Sequence, residues 1–475
     1  MTDTIRAIPY LNTQHYRYRR KFAEIACKLC TVLARRNLPG LAAFVIARLM
    51  IPLQQARPGQ GETRNIVVLV KAGLTEDVVA SIGGEPAFSV IAMDRTITKA
   101  VTAAFLPHIR DDNSYLSNVE ADAPAKAALR GFWKAVLKRL EKHHGIDGFI
   151  TGNFSYHAEQ ELAGAATELG VPFIAMHKEC NKSPSQADFY VDVYRDRKGP
   201  FQGSHLLYHN WIEMDVQERA KVVLDKPYEI TGMARMDAVH RRRREVADGW
   251  DERGNGGQIS QRPTVLFFSV FEKYRLPFIR RTVGGKTYDE PLPAELENLN
   301  WSSLMSMLHH AMVDLAVAHP DIDVIIKTKG DPVANETLRK MFGEVLQLPA
   351  NVRLVSGGEP LELIFSSNVV CGFNTTALVE AIAADVPIVV PKFSGAIDPA
   401  LEGYVMDIGN AAIQASSVEN MIGSLVDLAR RGREKPVYDL GPEAQEILTR
   451  WVGNADGEAG TRVRDTLLKF TAPVA

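Results

Sequence analysis

Residues 368–393 read NVVCGFNTTALVEAIAADVPIVVPKF, and the change of chain type along them decides the fold. Asn368 to Cys371 and Pro387 to Val390 are short apolar, β-branched runs, the composition of buried strands. Between them, Thr375 to Ala384 has helical composition and would carry Leu378, Val379 and Ile382 inward. The turn Gly372-Phe373-Asn374-Thr375-Thr376 falls where the helix begins; glycine permits a tight approach, and Asn and Thr are natural N-caps. A helix start offers free N–H groups and a partial positive charge, so a phosphate is expected there. Glu380, one turn on, comes within reach of a ribose hydroxyl. The same residues also read as an ordinary strand–helix–strand unit whose Asn and Thr only cap the helix.

Working outward, the pattern repeats. Ile66 to Val70, Phe88 to Met93, Gly148 to Ile150, Pro172 to Met176 and Tyr228 to Ile230 read as strands, with helices at Pro124 to His143 and His157 to Leu169. A second series follows: strands at Thr264 to Val270, Asp323 to Ile326 and Val352 to Val355, with helices at Ser302 to Ala318, Asn335 to Val345 and Pro360 to Phe365. Such alternation predicts parallel sheets covered on both faces. The expected organisation is a basic helical arm (1–60), an α/β domain (61–245), a linker (246–262), a second α/β domain (263–440) and terminal helices (441–475). The charge run Arg241 to Arg244 and the Gly-rich Asp248 to Arg262 read as connecting chain. Glu272 to Glu297 reads as a long functional loop.

Bulk composition narrows the class. At 475 residues, 46% hydrophobic and 24% charged, the chain is long enough for two domains of ordinary globular make-up. A formal net charge of −2 gives no global argument for nucleic acid. Its four cysteines include one C-x-x-C pair, Cys27 and Cys30, with no second pair at zinc-finger spacing; Cys180 and Cys371 stand alone, so a reduced, cytoplasmic protein is expected. Glu24 and Lys28 interrupt any secretory apolar core, and Arg48 breaks the short apolar run Leu41 to Leu53. In the arm, Arg17, Arg19, Arg20, Lys21, Lys28, Arg35, Arg36 and Arg48 face one acid, Glu24. This basic amphipathic pair of helices suits the inner face of an anionic membrane, or packing on its own protein or a second subunit.

In open α/β sheets, ligands collect beyond the carboxyl ends of the strands. That rule selects Lys327, Lys329 and Lys392 beside the Gly372–Thr376 turn, with Lys273 and Arg275 in the long loop, a set suited to a diphosphate. In the first domain it selects His177 and Glu179, directly after an apolar strand and expected to face the interdomain cleft, as a general base on an acceptor hydroxyl. His157 and Asp94 are further candidates. Walker A, Gly-rich dinucleotide, HEXXH and G-x-S-x-G patterns are absent, as are metal-ligand clusters; no metal and no resident cofactor are expected.

The arrangement resembles the GT-B glycosyltransferases, with two doubly wound Rossmann-like domains facing a cleft. Thr231-Gly-Met-Ala-Arg235-Met-Asp237 looks like the turn that ends the first domain in bacterial surface-polysaccharide (capsule) and CDP-glycerol glycerophosphotransferase-type relatives. Ile325-Ile-Lys327-Thr-Lys329-Gly-Asp331-Pro332 is similar to their basic strand-end motif, often Lys-Pro-His-Pro, although Lys329 stands at the His. Asn368 to Phe393 resembles their donor-binding unit. The resemblance covers about residues 230 to 395. It implies that Asn374, Thr375 and Thr376 hold a diphosphate, Lys327 a phosphate, and Glu380 the ribose of a nucleotide-sugar donor, with a saccharide or lipid-linked acceptor on the first domain. Where many retaining members carry the first carboxylate of Glu-x7-Glu, this chain has Gly372. A sugar-nucleotide epimerase and a non-catalytic interaction subunit of the same fold are the alternatives.

Overall fold

The structure is a computed structural model. It describes residues 14–56, 63–71, 73–109, 112, 115, 120–178, 181–197, 200–250, 262–270, 280–283, 286–289, 296, 299–328, 332–342, 348–358 and 360–471. The first sheet is built from β1 (Ile51–Gln54), β2 (Arg64–Val70), β3 (Phe88–Asp94), β4 (Gly148–Thr151), β5 (Phe173–Met176), β6 (His205–Tyr208) and β7 (Tyr228–Ile230), in spatial order β1-β3-β2-β4-β5-β6-β7. Every pairing is parallel except β1 on β3. Strands such as β2, with Ile66 to Leu69 fully buried, have no polar face because helices cover both sides.

The second sheet contains β8 (Thr264–Phe268), β11 (Asp323–Thr328), β12 (Val352–Ser356), β13 (Val369–Cys371), β14 (Ile388–Pro391) and β15 (Ile413–Ala415), in the order β12-β11-β8-β13-β14-β15, all parallel. Two doubly wound α/β sheets with an N-terminal helical arm are therefore the architecture. In the chain between β8 and β11, β9 (Arg280–Val283) and β10 (Lys286–Asp289) form an antiparallel hairpin. The stretch expected to be a long loop thus carries a hairpin of its own, and the arm is followed by an edge strand, β1, that the sequence reading did not include. Pro52 fits there because an edge strand has one unpaired side.

Arg241 to Arg244 do not lie in connecting chain; they belong to the helix Asp237–Asp248. Val239, His240, Arg243, Val246 and Ala247 form its buried face. Past the second sheet, the helix Pro442–Val452 packs beside Thr376–Ala383, and the helix Ala459–Phe470 returns to the first domain, where Val463, Leu467 and Phe470 join Ile66, Val68 and Leu74. The Thr231–Asp237 motif holds this crossover. Gly232 and Gly453 have φ of +86° and +61°, and a Cβ on Gly232 would meet the Gly453 carbonyl at 2.3 Å. Met233 N–H donates to the Val452 carbonyl, Asn454 donates to the Met233 carbonyl, and the Asp237 carboxylate accepts from Ala459 N–H and Gly460 N–H at the start of the last helix.

Candidate functional site

In each sheet the direction of strand addition reverses once. In the first sheet the reversal lies between β2 and β4, and in the second between β8 and β13. The crevices beyond the carboxyl ends at these two points are where a doubly wound sheet binds ligands. Further along the two sheets, Ser185, at the start of the helix after β5, donates its N–H to the carbonyl of Gly403, in the segment after β14, at 3.0 Å. A groove of about 670 Å³ beside Arg35, Asn37, Phe105 and Phe132 lies at the N-terminal helices, away from both crevices.

At the second-domain crevice, Gly372 follows β13 and leads into the helix Thr376–Ala383. Thr375 is its N-cap, and its hydroxyl accepts from Ala377 N–H. Asn374 is left-handed, with φ of +46°; its side chain is buried and clamps the segment after β14, accepting from Met406 N–H at 3.0 Å and donating to the Tyr404 carbonyl at 3.4 Å. The far end of the helix meets two buried arginines. Arg243 donates to the Ala383 carbonyl at 2.6 Å, and Arg433 donates to the Ala384 carbonyl at 2.9 Å. Cations at the carboxyl end satisfy the last carbonyls and leave the amino end facing the crevice. Burial lowers the Arg433 guanidinium to about 10 and also lowers that of Arg243.

Lys327 is the last residue but one of β11, paired with β8; it is largely buried, and its ammonium donates to the Thr328 carbonyl at 2.9 Å. Its carbonyl accepts from Ser269 N–H. Sequence reasoning missed Ser269, which caps β8 at the reversal point. The Ser269 hydroxyl lies 2.7 Å from Nε2 of buried His309, whose Nδ1 donates to the Met305 carbonyl. That donation makes Nε2 the acceptor, so Ser269 donates to it. Burial holds the His309 imidazole down at about 4, hence neutral. Thr376 and Glu380 are half-buried on the helix, and Lys392 is exposed and donates to Gln414. Lys329, Lys273 and Arg275 lie outside the described residues.

At the first-domain crevice, His177 is not where the sequence reading put it. Its side chain is 0% exposed, its ring stacks on Phe154 and approaches Tyr208, and Nε2 lies 3.5 Å from Glu213. The reason is packing from neighbouring elements, Phe154 after β4, Tyr208 on β6 and Glu213 on the helix after β6; His177 N–H also continues the β5–β6 pairing to the Leu207 carbonyl. Glu179 lies outside the described residues. Glu213, itself fully buried, also pairs with Lys182.

His157 lies in the turn between β4 and its helix and is itself largely buried. Asp112 accepts from His157 Nδ1–H at 2.7 Å and from His157 N–H at 2.8 Å, which fixes Nε2 as the basic nitrogen. Nothing local in sequence pairs residues 45 apart. Around this dyad, Lys71 and Arg95 approach the ring of Tyr156 at 4.5 and 3.7 Å. Arg95 is paired with buried Glu159, which also accepts from Thr151. Arg235 pairs with buried Asp77 at 2.6 Å; burial would raise that carboxyl, but Arg235 and His209 hold it below its ordinary value. Asp94, the third candidate, caps the helix Arg95–Phe105 by accepting from Thr96 N–H.

Cys27 and Cys30 are free thiols, and burial raises both, Cys30 to about 12. Among the described residues no group of three or more His, Cys, Asp or Glu is disposed to hold a metal, and no helix is long and apolar enough to cross a membrane.

No family model and no curated protein matches the chain. Solved structures similar to it include a glycosyltransferase from Rickettsia africae (12% identity, 87% of this chain and 100% of that one, TM-score 0.44). UDP-GlcNAc 2-epimerases are also among them. The one from Methanocaldococcus jannaschii has 12% identity over 86% of this chain and 100% of its own, with TM-score 0.44. The one from Neisseria meningitidis, bound to UDP-GlcNAc, has 12% identity over 86% and 100%, with TM-score 0.42.

Proposed function

We propose that this chain is a cytoplasmic glycosyltransferase that moves a sugar from a nucleotide-activated donor to a surface-polysaccharide (capsule-type) or lipid-linked acceptor. The observation that carries the reading is a strand-reversal crevice in each sheet, the one at β8/β13 followed by a helix amino end and the one at β2/β4 followed by an oriented His157–Asp112 pair. The donor's diphosphate sits on the amides at Gly372 to Thr376, with Lys327, Lys329 and Thr376 around it and Glu380 towards the ribose. Fixed N–H dipoles there stabilise the leaving diphosphate as the bond to the anomeric carbon breaks. His157 Nε2 takes the acceptor hydroxyl's proton while Asp112 holds the imidazole and stabilises its cationic form. His177, sealed beneath the crevice with Glu213, positions the β5 end and does not meet the acceptor.

The first test is a thermal-shift screen against nucleoside mono- and diphosphates. A ligand at a hundred times its Kd stabilises the fold by about 2.7 kcal/mol. The expected result is a shift selective for one base, lost in Thr375→Val/Thr376→Val and weakened in Glu380→Ala. No shift with any nucleotide, in an assay where known nucleotide binders respond, would overturn the donor site. Turnover of the sugar nucleotide without any acceptor would overturn the transferase assignment in favour of an epimerase.

A further inference from the structure

The helices Gln14–Arg35 and Pro39–Leu49 form a hairpin on the first domain. The first ends in a Schellman motif: Leu38 N–H donates to the Leu33 carbonyl, Asn37 N–H donates to the Ala34 carbonyl, and Asn37 is left-handed at φ +49°. One side of the hairpin is spent on the protein: Cys30, Leu33, Ala34, Ala42, Ala43 and Ile46 are buried in the main core. The other side is apolar as well. Ile25 (66% exposed), Leu29 (44%) and Val32 (46%) fall at i, i+4 and i+7 of the first helix, and Leu41 (57%) and Phe44 (59%) lie on the second. A helix whose apolar arc is wider than the side its own fold buries has an unfilled contact.

The charges around that face are of one sign. Lys28, Arg35, Arg36 and Arg48 are exposed among these residues against the single acid Glu24, and the Arg48 guanidinium stacks 4.8 Å from the Phe44 ring centroid. A cation held against an apolar anchor is the arrangement that places one group at a lipid headgroup and the other below it. A second copy of this face would bring the same four cations together, whereas an anionic bilayer neutralises them and buries the apolar row. We propose that the outer face of this helical hairpin docks the protein peripherally on an anionic membrane surface. The docking is independent of the donor and acceptor chemistry above.

The test is flotation of the full chain with phosphatidylcholine vesicles, with and without about 30% phosphatidylglycerol. Binding is expected to the anionic vesicles only and to fall with added salt. Each cation near such a surface contributes about a fivefold gain in partition, so Lys28→Gln/Arg36→Gln should lower it about 25-fold. Leu41→Glu/Phe44→Glu should abolish it with an unchanged melting temperature, since both side chains are exposed. If that variant is destabilised, the face is covered by the chain itself, and the charge variant, whose cations are exposed, decides the electrostatic part. Equal partition of the charge variant and the parent, or no enrichment on anionic vesicles, would overturn the proposal. So would a dimer seen by light scattering that the Leu41/Phe44 variant dissociates while vesicle binding is absent.

Discussion

Replacing Asn374 separates what its backbone does from what its side chain does. Its φ of +46° is a conformation that glycine adopts freely, asparagine tolerates, and alanine reaches at a cost of about 1–2 kcal/mol. Of its two clamp contacts, the 3.0 Å bond from Met406 N–H has the length of a full hydrogen bond, and the 3.4 Å bond to the Tyr404 carbonyl is weak. The first is worth about 1 kcal/mol net. Asn374→Gly loses the clamp and adds about 0.4–1 kcal/mol of unfolded-chain entropy, giving roughly 1.5–2 kcal/mol. Asn374→Ala loses the same clamp and takes on the strain, giving about 2–3 kcal/mol. Urea unfolding of the second-domain transition reads the order, parent above glycine above alanine. Hydrogen–deuterium exchange at the Met406 amide locates the effect, rising about fivefold per kcal/mol of local loss. An alanine variant as stable as the glycine variant, or unchanged Met406 exchange in both, would refute the assigned geometry.

Four further outcomes follow from the same contacts. Arg243→Met removes charge-assisted bonds to the Ala383 and Tyr438 carbonyls and should cost about 2–4 kcal/mol by urea unfolding, even though one desolvated cation is relieved. His240, which donates from Nε2 to the Asn454 carbonyl and accepts from Arg243, is held down at about 4 by burial and then by the nearby Arg243 charge. Because its folded value lies below the unfolded 6.5, the unfolded chain takes the extra proton between them; stability falls as pH drops from 6.5 towards 4, by about 2 kcal/mol at pH 5, and His240→Asn should remove that part of the slope. Asp237 acts oppositely, since burial raises its carboxyl to about 6; the fold keeps a proton the unfolded chain releases, so Asp237→Asn should steepen the acid loss between pH 6 and 4. His157→Ala and Asp112→Asn should each lower kcat by at least about a hundredfold with little change in nucleotide affinity, whereas His177→Gln should act on stability; equal kcat losses for His157 and His177 would remove the dyad from its role.

Parts of the site were legible because they are local. The strand–turn–helix at Asn368 to Phe393 was visible from composition, and its cap fell on Thr375 as the residue type suggests. The strand-end rule also gave the right end of the sheet for His177, but not its direction. That depended on packing from neighbouring elements, among them β6, whose His205-Leu-Leu-Tyr208 is too short to stand out. The arginine run misled for a related reason. Four consecutive cations read as solvated chain, yet Val239, Arg243 and Val246 repeat at helical spacing, so the signal for one inward arginine was present beneath the charge. The His157–Asp112 pair had no such signal, because only the tertiary fold brings residue 112 to the mouth of β4.

The two domains are tied by contacts of different kinds. On one side, Gly232 and Gly453 touch backbone to backbone, Asn210 donates to the Trp451 carbonyl, and Asn454 bridges Met233 and Asp237, all in buried surroundings. Elsewhere, Ser185 N–H meets the Gly403 carbonyl, and Gly403, at φ +79°, has no room for a Cβ, which would sit 2.2 Å from Ser185 Oγ. Gly403 is one residue from Tyr404 and three from Met406, the two groups that Asn374 clamps. The turn at the amino end of the Thr376–Ala383 helix is therefore connected, through three short steps, to the loop that follows β5 in the other domain. On the proposed donor site, a ligand that orders the turn would act on the contact between the domain edges as well. A net hydrogen bond of about 1 kcal/mol is small enough for ligand binding to make or break. The buried crossover, with several bonds and two mutually fitted glycines, holds the chain by more contacts than that single bond does.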